Sequence, residues 1–186
     1  MMGLLIEPTA IPDVKIVTPQ RFGDMRGSFV ETYNRQDFAR VSTATFVQDN
    51  QSMSPQVGTI RGLHYQLAPH TQCKLVRVVR GAILDVAVDL RKSAASFGRH
   101  VAVELSADNG RQLWVPEGFA HGFVTRAPDT EIIYKTTGYY HKPSERGLLW
   151  DDQALGIDWG VASELAVLRD QDRHWPKLSD LTEVFA

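Results

Sequence analysis

A histidine and an arginine interrupt the apolar, strand-like run Arg61-Gly62-Leu63-His64-Tyr65-Gln66, and Lys74 does the same in Gln72-Cys73-Lys74-Leu75-Val76. A third run, Gly118-Phe119-Ala120-His121-Gly122-Phe123, carries another histidine. Valine, leucine and phenylalanine pack well in strands, so a basic group among them costs stability unless it faces water or a site. One such residue alone reads as a solvated strand face. Two successive strands with basic groups, followed by a third, read as walls of one polar cavity. Tyr134 and several carboxylates complete the inventory: a histidine base, a lysine cation and a tyrosine acid. That set suits proton abstraction beside a carbonyl. The histidine takes the proton, the lysine stabilises the enolate oxygen and the tyrosine returns a proton.

Other chemistries fit less well. Nucleophilic hydrolysis lacks a Gly-x-Ser-x-Gly elbow, and alternation turns Cys73 away from the Lys74 face. No Gly-rich phosphate loop precedes a helix. Pro116-Glu117-Gly118-Phe119-Ala120-His121 matches the Pro-x-Gly-x-x-His half of the cupin metal signature, whose other half needs His-x-His followed by a glutamate. Here that stretch is His64-Tyr65-Gln66, which leaves two of the expected ligands where a catalytic metal usually wants about three. No metal and no cofactor are expected.

The elements that must hold these groups are short and β-rich. Strand-like runs fall at Val14–Val17, Ser28–Tyr33, Thr45–Gln48, Thr59–Gln66, Lys74–Val79, Ile83–Leu90, His100–Leu105, Leu113–Val115, Gly122–Thr125 and Glu131–Thr136. Helical patterning is confined to Asn34–Val41 and Ala162–Leu168. Gly81 and Ala107-Asp108-Asn109-Gly110 read as hairpin turns. The long helical crossovers of a parallel sheet are missing, so an all-β, antiparallel jelly-roll barrel is predicted. Alternation places Lys74 with Val76 and Val78, Asp85 with Ile83 and Ala87, His121 with Phe119 and Phe123, and Tyr134 with Ile132 and Thr136. Strict alternation separates Arg61 from His64, and a bulge at Gly62 would bring both to one face.

Composition narrows the setting. The 186 residues fit one domain spanning the chain, with 43% hydrophobic and 23% charged residues, ordinary for a globular protein. A formal net charge of -2 gives no basic stripe for nucleic acid. One cysteine rules out an intrachain disulfide and fits a reducing cytosol. The first residues lack the charged n-region and apolar length of a signal peptide, and no stretch approaches the ~20 apolar residues of a membrane span. A soluble, cytoplasmic protein is predicted.

Taken together, the motifs resemble the dTDP-4-dehydrorhamnose 3,5-epimerases, which are metal-free cupins. The resemblance runs from about Asp24 to Leu178. It includes Asp24-Met25-Arg26-Gly27-Ser28-Phe29-Val30-Glu31, Gln48-Asp49-Asn50, the His64 and Lys74 runs, and Asp85-Val86-Ala87-Val88-Asp89-Leu90-Arg91. Val115-Pro116-Glu117-Gly118-Phe119-Ala120-His121, Tyr139-Tyr140 and Glu145-Arg146-Gly147-Leu148-Leu149-Trp150 continue it. The resemblance implies that His64 is the base, Asp172 its orienting carboxylate, Tyr134 the acid on the other ring face, and Lys74 the partner of the sugar C4 oxygen. Arg26 and Arg61 would meet the diphosphate, and Glu31, Gln48, Asn50 and Glu145 would contact the nucleotide or its surroundings. Tyr140 would stack on thymine, while His121 and Asp85 would line the pocket.

What the resemblance implies for substrate is a dTDP-4-keto-6-deoxyhexose, epimerised at C3 and C5 on the way to rhamnose or a related deoxysugar. One departure stands near the C-terminus. The family often reads Ser-Glu-Lys-Asp where this chain has Arg169-Asp170-Gln171-Asp172, so Gln171 replaces a lysine expected near the ligand. Relatives that epimerise one carbon only, a ketoisomerase of similar fold and a silent nucleotide-sugar-binding protein are the alternatives. The family also implies a homodimer, which the strands Val14–Val17 and Ser28–Tyr33 would form by pairing edges across a two-fold axis. Arg26 and Glu31 would then reach the partner's pocket.

Overall fold

In the computed structural model, which describes residues 3–186, alternating and apolar runs become strands that pair only antiparallel. In chain order they are β1 (Leu4–Pro8), β2 (Lys15–Pro19), β3 (Arg21–Asp24), β4 (Gly27–Val30), β5 (Gln48–Ser54), β6 (Ile60–Gln66) and β7 (Lys74–Arg80). There follow β8 (Ala82–Asp89), β9 (His100–Ser106), β10 (Gln112–Val115), β11 (Phe119–Thr125), β12 (Thr130–Thr136) and β13 (Glu145–Gly147). Two sheets face each other, ordered β1-β2-β10-β7-β12-β5 and β13-β6-β11-β8-β9, and β3 pairs with β4 alone. This is the predicted cupin-type jelly roll.

Period-2 alternation sorts the side chains into three apolar layers. Val76, Val78, Ile83, Ala87, Phe119 and Phe123 fill the space between the sheets. On the outer side of the five-stranded sheet, Ile60, Leu63, Val86 and Val88 are covered by Leu148, Trp150, Leu155 and Trp159 of the C-terminal segment. Outside the six-stranded sheet, Leu75 and Trp114 pack under a short helix, α1 (Arg35–Phe38). Asn34 caps that helix by accepting the Gln36 N–H, as its residue type favours. Cys73 joins this outer layer, on the face opposite Lys74 as alternation predicts. Each fully buried Leu, Ile or Phe contributes roughly 1.5–3 kcal/mol, enough for these layers to dictate which way the polar residues of the same strands point.

Several elements differ from the sequence reading. Gly81 and Ala107–Gly110 are not hairpin turns: each carries the chain from one sheet to the other, because β7 and β8 have different partners, as do β9 and β10. The run Val14–Val17 becomes β2, which lies between β1 and β10 and has no free edge for another chain. Ser28–Tyr33 shortens to β4, and the strand expected over Thr45–Gln48 begins where that range ends. Ala162–Leu168 forms one 3-10 turn at Ser163–Leu165 rather than a helix, its segment being held by Ile60 N–H donating to the Val167 carbonyl and Val167 N–H to that of Gly58.

The bulge at Gly62 is present. Along β6 and β11 the register pairs Ile60 with Val124 and Arg61 with Phe123, then His64 with His121, so Gly62 and Leu63 stand opposite Gly122 alone. Gly62 has φ 135°. A Cβ there would sit 2.5 Å from the Gly122 Cα and 2.9 Å from the His121 carbonyl oxygen. Only glycine meets both demands. The extra residue sends Leu63 into the outer core and leaves Arg61 and His64 on the inner face.

Candidate active site

The inner faces of β5, β6, β7, β11 and β12 surround a cavity of about 520 Å³ lined by Arg61, His64, Lys74, His121 and Tyr134. A second cavity of about 140 Å³ shares His64, Lys74 and Tyr134 and extends toward Gln48, Asn50, Tyr140 and Glu145. A small ring chamber with an adjoining cleft is therefore built around one shared trio.

His64 gains its partner from far along the chain. The C-terminal segment, after covering the five-stranded sheet, forms a 3-10 turn at Asp170–Arg173 that brings buried Asp172 to the cavity rim. The His64 Nε2 lies 2.7 Å from Asp172 Oδ1. That oxygen also accepts from Arg169 Nε at 2.8 Å and Trp175 Nε1 at 3.2 Å. Burial opposes ionisation of Asp172, but hydrogen bonds from His64 and Arg169 outweigh it and hold the carboxyl below its ordinary range. An ionised Asp172 accepts a hydrogen bond from the Nε2–H of a neutral His64, which leaves Nδ1 with the lone pair that can accept a proton. Trp175 lies flat against Gly147, where a Cβ would come within 2.2 Å of its ring.

The other groups are held as tightly. Burial among apolar strands pushes the Lys74 ammonium down to about 8, against the opposing pull of Asp85 and Glu145. The imidazole of His121 donates from Nε2 to the Asp85 carboxylate Oδ1 at 2.8 Å, and burial lowers its pKa despite that carboxylate. Asp85 is fully buried behind His121 and lines neither cavity, so its predicted place on the pocket wall is corrected to one beneath it. Burial raises the Tyr134 phenol above its ordinary value, partly offset by Arg61, so the hydroxyl keeps its proton at neutral pH. Arg61 donates from Nε to Ser54 Oγ at 3.3 Å and from Nη2 to the Met53 carbonyl at 3.2 Å, which fixes its fork at the cavity wall.

In the cleft, Gln48 Nε2 donates to Asn50 Oδ1 at 2.8 Å, and the Tyr140 hydroxyl donates to Glu145 Oε2 at 3.2 Å. The Tyr140 ring is 56% exposed, available as a flat apolar surface. Arg26 and Glu31 line neither cavity. Arg26 sits at the tip of the β3–β4 hairpin, paired with Asp24 at 2.6 Å and facing solvent. Sequence reasoning missed Arg169, which contacts His64, Asp172 and Glu145 together, and Trp175. Neither lies in a periodic stretch that would signal its place. Among the described residues no cluster of three or more His, Cys, Asp or Glu side chains is arranged for a metal ion.

An antiparallel jelly roll with an acid–base cavity between its sheets is a cupin-type architecture. The chain belongs to the dTDP-4-dehydrorhamnose 3,5-epimerase family, whose sequence profile matches residues 8–180. It is 51% identical over 174 residues to the dTDP-4-dehydrorhamnose 3,5-epimerase of Shigella flexneri, covering 92% of this chain and 94% of that one. It is 50% identical over 184 residues to the Salmonella typhimurium enzyme of the same name, covering 97% and 100%. Its fold superposes with a TM-score of 0.92 on the dTDP-6-deoxy-D-glucose-3,5-epimerase of Legionella pneumophila solved with dTDP-4-keto-L-rhamnose, at 41% identity, covering 96% of this chain and 95% of that one.

Proposed function

We propose that this protein converts dTDP-4-dehydro-6-deoxy-D-glucose to dTDP-4-dehydro-β-L-rhamnose by inverting C3 and C5. The observation that carries the reading is the pairing of His64 with Asp172 in a cavity that also holds Lys74 and Tyr134. Both carbons flank the C4 ketone, so their C–H bonds are acidified by the same carbonyl. His64 Nδ1 removes the proton, and the imidazolium that forms is stabilised by Asp172 through Nε2–H. The electron pair moves onto the C4 oxygen, where the Lys74 ammonium offsets the charge. Tyr134 then delivers its proton to the opposite face of the same carbon, and the ketone reforms with inverted configuration. Arg61 holds the diphosphate, His121 borders the ring, and Tyr140 stacks on the base with Gln48, Asn50 and Glu145 around it.

The active form is a homodimer in this reading. Phe22, Met25 and Phe29 on the β3–β4 hairpin are 42%, 101% and 60% exposed, an apolar arm that a second copy would cover. Arg26 and Glu31, which lie outside their own chain's cavity, would complete the partner's diphosphate and nucleotide contacts. Among the described residues no helix is long and apolar enough to cross a membrane, and the cytoplasm is the compartment proposed.

Proton NMR of the substrate in D2O with the purified protein tests the reaction. Signals at C3 and C5 should both vanish by exchange while the L-configured product accumulates. Exchange at one carbon alone would reduce the activity to a single epimerisation, and no exchange would leave only nucleotide-sugar binding.

A further inference from the structure

The loop after β12 is tied down by three glutamines, two at strand ends and one in the connection that leads into β7. Gln72 Nε2, beside the start of β7, donates to the Gly138 carbonyl at 2.7 Å. Gln66 Nε2, at the end of β6, donates to the Tyr139 carbonyl at 3.1 Å, and its Oε1 accepts the His141 N–H at 2.7 Å. Gln48 Oε1, at the start of β5, accepts the Tyr140 N–H at 3.1 Å. Backbone groups of each residue from 138 to 141 thus meet side-chain amides. Gln66 also donates to the His70 carbonyl at 2.6 Å, and the His70 and His141 rings stack at 3.7 Å. The Gln66 side chain is buried, 5% exposed, and both of its polar atoms are satisfied.

We infer that Gln66 and Gln72 are positioning residues for nucleotide recognition: with Gln48 they freeze the 138–141 loop so that the Tyr140 ring stands ready for a planar base. This rests on the reading that Tyr140 meets the base. A free loop loses backbone freedom when it clamps a ligand, at roughly 1–2 kcal/mol per residue ordered. Fixing the loop during folding removes that cost from the binding step. The amide is suited to the task because one Gln side chain both donates and accepts, so it can hold a carbonyl and an N–H of the same loop. Neither Gln66 nor Gln72 has a part in proton transfer, so the inference predicts a loss in KM with kcat retained.

The experiment compares wild type with Gln66→Leu and Gln72→Ala. Calorimetry measures binding of thymidine 5′-diphosphate, and NMR in D2O measures exchange at saturating substrate. Gln66→Leu should weaken thymidine diphosphate binding and raise KM about tenfold, equivalent to about 1.4 kcal/mol, with kcat within about threefold of wild type. Gln72→Ala, which loses one contact near the surface, should give the same split at about threefold, and it decides the matter if Gln66→Leu fails to fold. Unchanged affinity in a folded variant would overturn the inference, as would kcat falling in step with affinity. If wild type itself fails to bind thymidine diphosphate, the underlying reading of the cleft fails instead.

Discussion

Lys74 gives the sharpest quantitative test of how the cavity handles charge. Burial lowers its pKa to about 8, so the ammonium that offsets the enolate oxygen is lost as pH rises through that value. About nine in ten Lys74 side chains are charged at pH 7 and about one in ten at pH 9, by the ordinary titration relation. Losing one oxyanion contact typically costs ~2.7–4 kcal/mol of barrier, on the order of 10²–10³ in rate. The profile of kcat/KM, which reports the free enzyme, should therefore fall above pH 8 by close to tenfold per unit. It should level off only near the rate of Lys74→Ala. That variant should be slower by about 10²–10³ at pH 7, equally at C3 and C5, and should show no limb near pH 8. Tyr134 cannot produce the same limb, because burial raises its pKa above the ordinary phenol value. Lys74→Arg, which stays charged throughout, should lose the limb while keeping part of the rate. A flat wild-type profile from pH 7 to 10 would refute the charge-stabilising role, and selective loss at one carbon in Lys74→Ala would make Lys74 a positioning group.

Three further outcomes follow from particular contacts. His64→Asn should slow exchange by about 10²–10⁴, and Asp172→Asn by less, roughly 10–100-fold for one charge-assisted hydrogen bond; exchange rates measured by NMR would contradict the pairing if Asp172→Asn were the more damaging. Gly147→Ala would drive Trp175 off its seat and weaken its bond to Asp172, so thermal unfolding should reveal a loss of about 1–3 kcal/mol together with slower turnover, and a variant normal in both would show that this contact carries no weight. Light scattering at micromolar concentration should give the mass of two chains, and a single-chain mass would remove the proposed contribution of Arg26 and Glu31 to a partner's site.

What the sequence revealed follows from where each residue's partners lie. Lys74, His121 and Tyr134 stand where alternation alone assigns a face, and the Gly62 bulge that puts His64 beside Arg61 followed from a glycine between two residues needed on one side. Asp172 is different: 108 positions separate it from His64, and only resemblance to a family pointed to it. Arg169 and Trp175 sit in an irregular segment whose path depends on covering the five-stranded sheet. Gly81 and Ala107–Gly110 read as hairpin turns but are corners between sheets, because the same turn residues serve both and strand pairing decides which. The polar inner face of β5 hid that strand, since Gln48, Asn50, Ser52 and Ser54 look toward cavities and not toward a core.

Tyr134→Phe, followed by NMR in D2O, tests most directly the central claim that a base on one ring face and an acid on the other invert the sugar. The substitution removes one hydroxyl and little volume, so binding and proton removal by His64 persist. The account predicts that deuterium still enters the substrate while formation of the L-sugar falls steeply, most of all at C5. Formation of the L-sugar at the wild-type rate would contradict it and leave Tyr134 as no more than a wall of the cavity.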